Sequence, residues 1–401
     1  MARHVDRMRD FAGKVAVVGV GGTNFGADYR NNGATRRRGT PSEKDAYTYA
    51  AEAFAMALAE SGLKKSDIDG VIVDGGLKNE VTCELFGLTP TWGSMQSGLA
   101  DAMIPVAVMA IMSGQCDTVA LIKGTSQRAE NEQWGGQAAG RGRLGEYYFY
   151  PWGYNSPGAQ HAMMWQHYMD VYGRKEEELF RVPLNARRHA MINPNAVFQS
   201  ELTFENWWNS RYIAAPLRLF DYTMINDGGS CFILRRADMV SGLPQHPVLV
   251  NGFSWATAPH SSGLMDRVGD NYYGLTKEAA DAAYAMAEIG PKDVDQFQVY
   301  DAFSDILVWG LEACGFAKRG EALDFIGADA ANIWNDGDLP CMTSGGHQSE
   351  AYLQGWTQLV EAVRQVRHDY GDTARQVKDC NQSFYIHPGG EGPHTVLFKR
   401  A

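Results

Sequence analysis

The sequence predicts a layered α/β protein built from two similar halves. Three observations carry that prediction. Apolar, strand-like runs alternate with helix-length segments along the 401 residues, the pattern of sheets covered by helices. A chain of this length exceeds what one hydrophobic core usually holds. A unit that ends near residue 75 also returns near residue 303: "ALAESGLKKSDIDGVIVDG" (Ala57–Gly75) and "AMAEIGPKDVDQFQVYDAF" (Ala285–Phe303) both read helix end, turn, Asp-x-Asp and strand. With one gap, Asp69 meets Asp295 and Asp74 meets Tyr300. A period of about 228 residues is too long for a solenoid and fits a duplicated half. We place the first half at 1–240, with a loop region at about 125–215, and the second at 241–401.

The first strand signal is "KVAVVGVGG", Lys14–Gly22. Gly19 and Gly21 match a dinucleotide fingerprint. The third position is Asn24, and the stretch after it reads as loop, so the fingerprint lacks its context. A helix follows over Asp45–Leu63, with Gly62 as its stop. The run "DGVIVDGG" is a strand. "SGLADAMIPVAVMAIMSGQ" is apolar on every side, as a helix buried between layers would be. "TVALIKG", "GGSCFILRRADM" and "HPVLVNGFSWAT" are further strands. Gly145–Gly173 is crowded with aromatics, Met and Pro. It reads as core and subunit interface, or as a wall over a bulky apolar ligand.

Composition excludes several classes. A net charge of −11 argues against general nucleic-acid binding. No apolar run reaches membrane-spanning length, and the N-terminus has no apolar segment of the signal-peptide kind. Arg36, Arg37 and Arg38 read as a solvated loop. Six scattered cysteines without a CxxC pair give neither a disulfide framework nor a zinc ribbon, and the cytoplasm is the default expectation.

Three loops in the second half carry reactive residues. They are "QVYDAFS" with Tyr300 and Asp301, "TSGGHQSEAYLQG" with His347, Glu350 and Tyr352, and "YIHPGGEGPH" with His387 and His394. Each sits at a strand end or helix start, where ligands gather in α/β folds. The pairs Gly345–Gly346 and Gly389–Gly390 are expected to offer backbone N–H groups to an oxyanion. No third metal ligand accompanies His387 and His394 in the sequence, and no metal is expected on this chain.

The chain resembles the thiolase superfamily, and within it the sterol-carrier-protein-type thiolases, over nearly its full length. Glu177–Ala196 and Ser210–Leu234 match that family's middle region. The resemblance implies two stacked halves in five layers (αβαβα) and a homodimer. It also locates four departures. Met95 in "MQSG" stands where the family has its nucleophilic cysteine. Tyr300 in "YDAF" and Tyr352 in "AYLQG" replace its two histidines. Ile386 replaces the last cysteine, with His387 beside it. A thioether cannot attack a thioester.

An acid–base pair with an oxyanion site and no nucleophile suits a retro-aldol cleavage. The pattern is similar to the thiolase-like aldolases of steroid side-chain degradation. That likeness implies a lyase of lipid metabolism, acting on a β-hydroxyacyl-CoA with a bulky, steroid-like side chain. CoA enters as part of the substrate, and no cofactor is bound by this chain. The implied partner is a small protein with a zinc ribbon and an OB fold, in a heterotetramer, with the zinc on the partner. Tyr300 is implied as the base and Tyr352 as the proton donor, or the reverse. The implied substrate-binding residues are Met95, His347, Gly345, Gly346, His387, Gly389 and Gly390. A tyrosinate at neutral pH costs roughly 4 kcal/mol. Either a cation such as His347 or His387 supplies this, or the proton moves in concert. The alternatives are an atypical thiolase or acyltransferase acting on a 3-oxoacyl-CoA, with Cys83 or Cys341 as first suspects, and a non-catalytic acyl-CoA-binding homologue.

Overall fold

A computed structural model supplies the coordinates. The structure describes residues 8–31, 44–74, 76–96, 99–130, 156–256, 270–388 and 392–401. Arg36–Arg38, Gly389, Gly390 and the first part of the aromatic-rich stretch, 145–155, lie outside them.

The strands are β1 (Val15–Gly22), β2 (Gly70–Asp74), β3 (Trp92–Gln96), β4 (Thr118–Thr125), β5 (Tyr212–Ala214), β6 (Leu217–Arg218), β7 (Gly228–Arg236), β8 (Val248–Trp255), β9 (Gln296–Val299), β10 (Gln382–His387) and β11 (His394–Arg400). The helices that build the layers are α1 (Ala46–Ser61), α2 (Ala100–Met112), α3 (Pro157–Tyr172), α4 (Arg181–Ile192), α5 (Asp270–Ala287), α6 (Ser304–Ala313) and α7 (Trp356–Arg367). Nine strands follow one another in the order β3-β2-β4-β7-β1-β8-β11-β10-β9.

That order is nearly symmetric about the β1–β8 junction. On one side β2 runs parallel to β4, which is antiparallel to β7, itself antiparallel to β1. On the other, β9 runs parallel to β10, which is antiparallel to β11, itself antiparallel to β8. The two sides meet in only two residue pairs, Ala16–Leu249 and Val17–Val248. The Asp-x-Asp repeat has a structural reason. Asp69 accepts from the N–H groups of Asp117 and Thr118 at the entry to β4. Asp295 accepts from those of Asn381 and Gln382 at the entry to β10. Each carboxylate thus fixes the register of a parallel strand pair.

Alternating strand residues sort into three cores and give the five layers. Ala16, Val18, Val73 and Ile122 face α1 on one outer side. Val15, Val17, Phe232, Val396 and Phe398 face the middle layer of α2 and α7. Phe297, Val299, Phe384 and Ile386 face α5, α6 and α4 on the other outer side. The described part of the aromatic segment, α3, belongs to this last core. Met164, Trp165 and Tyr168 are buried there, and Tyr168 meets Trp309 edge-on at 5.3 Å. For these residues packing is the correct reading. Among the described residues no helix is long and apolar enough to cross a membrane.

The glycines that mimic a dinucleotide fingerprint serve helix docking. A Cβ on Gly124, Gly229, Gly21 or Gly19 would lie 1.8–2.3 Å from the carbonyl oxygens of Ala46, Tyr49, Ala53 and Ala57, successive turns of α1. The helix backbone therefore rests directly on the sheet. One expectation is corrected: a short helix, Phe25–Asn31, does follow β1, where the Asn24 carboxamide accepts from the Ala27 N–H at 3.0 Å. The fingerprint still fails, because β1 is antiparallel to both of its neighbours.

Gly21→Ala should lower stability by roughly 1–3 kcal/mol, since the helix must lift off the sheet. Gly274→Ala, in α5 with open space around it, should be neutral or stabilising by up to about 1 kcal/mol. Urea midpoints of both variants check this, and equal midpoints would contradict the docking account.

Candidate active site

Two elements of the second half converge at the ends of β9 and β10. Tyr300 follows β9 directly, and its N–H donates to the Ile386 carbonyl at 3.0 Å. Tyr352 follows a single wide turn over Gly346–Glu350. Its backbone N–H donates to the buried Asn226 carboxamide at 2.5 Å. The two phenol oxygens lie 2.8 Å apart, one hydrogen bond.

Asp301 holds this loop in place from below. It is fully buried and accepts from the His347 N–H at 2.8 Å, the Gln348 N–H at 3.3 Å and the Gln358 carboxamide at 2.7 Å. The turn must pass tightly over it. A Cβ at Gly346, where φ is +58°, would sit 2.3 Å from the Asp301 carboxylate.

This packing corrects the role expected of the first glycine pair. The Gly345 N–H donates to the Met342 carbonyl at 2.9 Å, and the Gly346 N–H points at the Ser344 hydroxyl at 3.4 Å. Both amides are committed inside the turn, so Gly345 and Gly346 shape the loop and do not present N–H groups to an oxyanion.

His347 also departs from expectation. It is fully buried, and its Nε2 accepts from the Gly355 N–H at 2.9 Å. Nδ1 therefore carries the proton and faces Asp301 at 3.4 Å. Burial, then the neighbouring His387, push its pKa well below the ordinary value. A neutral imidazole cannot be the cation beside a tyrosinate. Its ring instead meets Tyr300 and Tyr352 edge-on, at 4.7 and 5.0 Å, and walls them from behind.

The Tyr300 phenol favours the neutral state. Burial, followed by the proximity of Tyr352, drives the Tyr300 pKa well above its usual value. Burial thus disfavours the pre-formed tyrosinate considered above as the resting form of Tyr300. A hydrogen-bonded phenol pair that relays protons in concert fits this geometry.

His387 stacks on the Tyr300 ring at 4.0 Å and 25°. Behind it lies a residue that the sequence reading missed. Asp101, fully buried at the start of α2, has its Oδ2 3.5 Å from the His387 Nδ1 and 3.4 Å from that of His394. Burial alone would raise this carboxyl. The two imidazoles outweigh it and hold the group below its ordinary range. A carboxylate close to both imidazoles, which the sequence did not reveal, is thus supplied by the first half. Its only sequence signal is a lone carboxylate in a wholly apolar helix, a position where unpaired charge is avoided.

Met95 lies on β3, paired with Val73 of β2. Gly389 and Gly390 lie outside the described residues. Neither suspected alternative nucleophile is activated. Cys341 is fully buried and Cys83 half-buried, and burial raises both thiol pKa values.

Five layers from two like halves, with reactive loops gathered at strand ends, define a thiolase-type fold. The comparisons agree. The family described as "Thiolase C-terminal domain-like" matches residues 259–397. A steroid side-chain-cleaving aldolase of Thermomonospora curvata is 31% identical over 377 residues, covering 88% of this chain and 90% of that one. A 17-hydroxy-3-oxo-4-pregnene-20-carboxyl-CoA lyase of Mycobacterium tuberculosis is 31% identical over 89% of this chain and 92% of its own. The solved Ltp2–ChsH2(DUF35) aldolase superposes with a TM-score of 0.85 at 28% identity, over 97% of this chain and 98% of that one. The chain belongs to the thiolase superfamily, and within it to the carbon–carbon lyases, the aldolases.

The loop stores a pH dependence. Burial raises Asp301 to about 7, and burial with the nearby Glu361 raises Glu350 to about 7. In both, the folded state binds the proton more tightly than the unfolded chain. Their contribution to stability is therefore present below about pH 4.5 and lost as pH rises toward 7. Glu350→Gln should remove up to about 3 kcal/mol of the stability difference between pH 5 and pH 8. Denaturant titrations at both pH values check this, and an unchanged difference would contradict it.

Proposed function

We propose that this chain cleaves a β-hydroxyacyl-CoA with a bulky, steroid-like side chain by retro-aldol reaction, releasing a ketone and a shorter acyl-CoA. The observation that carries the reading is the 2.8 Å hydrogen bond between the Tyr300 and Tyr352 hydroxyls, in a chain with Met95 at the family's nucleophile position. The substrate class follows the relatives named for steroid side-chain cleavage and for a pregnene-carboxyl-CoA.

The substrate β-hydroxyl gives its proton to the Tyr300 oxygen. Tyr300 passes its own proton across the shared hydrogen bond to Tyr352, and Tyr352 delivers its proton to the α-carbon. The carbon–carbon bond breaks between these transfers. The hydroxyl carbon becomes a carbonyl, and the electron pair of the bond passes into the thioester enolate that Tyr352 protonates. Atoms and charge balance, and neither phenol is left ionised. The concerted path avoids the roughly 4 kcal/mol that a free tyrosinate costs at neutral pH. The reverse assignment of the two tyrosines uses the same hydrogen bond. For the enolate oxygen we assign the amides of the Gly389–Gly390 loop, since those of Gly345 and Gly346 are committed.

The likeness to a solved two-protein aldolase supports a partner for this chain, which we take to be a small zinc-ribbon and OB-fold protein in a heterotetramer around a homodimer of this chain. We place the activity in the cytoplasm, in keeping with six free thiols.

Tyr300→Phe and Tyr352→Phe should each lower kcat by roughly 10²–10⁴-fold while changing substrate affinity little. The assay is cleavage of a β-hydroxyacyl-CoA with the partner present. Full activity in both variants would remove the mechanism. Intact-mass detection of an acyl-enzyme would instead favour the acyltransferase alternative.

A further inference from the structure

The Asp101, His387 and His394 side chains converge from three segments. His387 and His394 are directly opposite on the antiparallel pair β10–β11, so their imidazoles leave the same face of the sheet. Asp101 meets them from the first turn of α2. One ligand atom from each of the three lies within 4.8 Å of the others. Asp101 and His394 are buried and His387 is nearly so, and among the described residues these polar atoms have no hydrogen-bond partner: both Asp101 oxygens, the His387 Nδ1 and both ring nitrogens of His394. A carboxylate stripped of water without such partners is costly and calls for a compensating cation.

The distances bear on the choice between two sources of that charge, protonated imidazoles and a bound ion. Hydrogen bonds from imidazolium groups would bring nitrogen and oxygen to roughly 2.7–2.9 Å. The observed separations are 3.5 and 3.4 Å. Four ligands about 2.0–2.1 Å from a shared tetrahedral ion sit about 3.3–3.4 Å apart. We propose that Asp101, His387 and His394 bind one divalent transition-metal ion of the zinc class. Two imidazoles and a carboxylate suit such an ion and leave one coordination position open. Trp255, itself 56% exposed, packs against His394 with ring centroids 4.5 Å apart.

An ion here would fasten the β10–β11 hairpin of the second half to α2 of the first. It would also fix the His387 ring against Tyr300, so His387 is a positioning residue in this scheme. The site stands on its own geometry and holds whether or not the tyrosines cleave carbon–carbon bonds.

The test uses the full chain purified without a partner, stripped with a chelator and titrated with Zn²⁺ by calorimetry. One ion per chain should bind and raise the melting temperature. X-ray absorption of the bound ion should show two imidazoles among nitrogen and oxygen ligands. Asp101→Asn and His394→Gln should weaken binding by roughly a hundredfold or more, with unchanged circular dichroism, while His246→Gln, on the exposed surface, should leave it intact. Absence of stoichiometric binding to the wild-type chain would overturn the site. So would binding undiminished in both variants, or a bound-ion spectrum without two imidazoles. The wild-type measurements decide the question even if a variant fails to fold.

Discussion

The buried carboxylate of Asp301 is the constraint on which the site depends. It sits one residue beyond Tyr300 and accepts three hydrogen bonds from the loop and helix that carry Tyr352. One residue type at one position therefore fixes the separation of two phenols that are 52 residues apart in sequence. The tight turn over it, the glycine at Gly346 and the inward-facing His347 all follow from accommodating that carboxylate. Asn226, from the first half, anchors the other end of the same loop at the Tyr352 amide.

The architecture explains why such a loop can be held so firmly. The glycine stripe lets α1 lie against the first half of the sheet, and α2 and α7 fill the space between the two halves. Strand ends from both halves are thereby brought to one place. The first half contributes Asn226 and Asp101, and the second contributes both tyrosines and both histidines. Inside, the electrostatics favour neutral partners. Burial suppresses the charge on His347 and on Tyr300 alike. A proton relay between neutral hydroxyls suits this interior better than a stable tyrosinate, because each transfer is matched by another and no buried charge persists.

Much of this was legible in the sequence, for physical reasons that differ by element. Strand and helix order could be read because apolar periodicity reports burial directly. The duplication could be read because Asp69 and Asp295 do the same job at equivalent strand entries. Tyr300 and Tyr352 could be found because two family positions had changed to the same residue. What could not be read is which backbone groups are already spent. The amides of Gly345 and Gly346 look available in a sequence, and only the folded turn shows them donating inward. Asp101 was hidden because its partners lie 286 and 293 positions away, and a lone carboxylate in an apolar helix carries no motif. The short helix after β1 was missed because its cap, Asn24, sits within a run of loop-forming residues.

The central claim is that the two tyrosines relay a proton from the substrate hydroxyl to a thioester enolate without covalent attachment. Cleavage of the β-hydroxyacyl-CoA in D₂O tests it most directly, because the relay draws on the exchangeable substrate hydroxyl and the two phenols. The account predicts enzyme-dependent deuterium uptake at the α-carbon, read by mass spectrometry, with the intact mass of the protein unchanged. No uptake, or uptake accompanied by an acyl adduct on the chain, would contradict it.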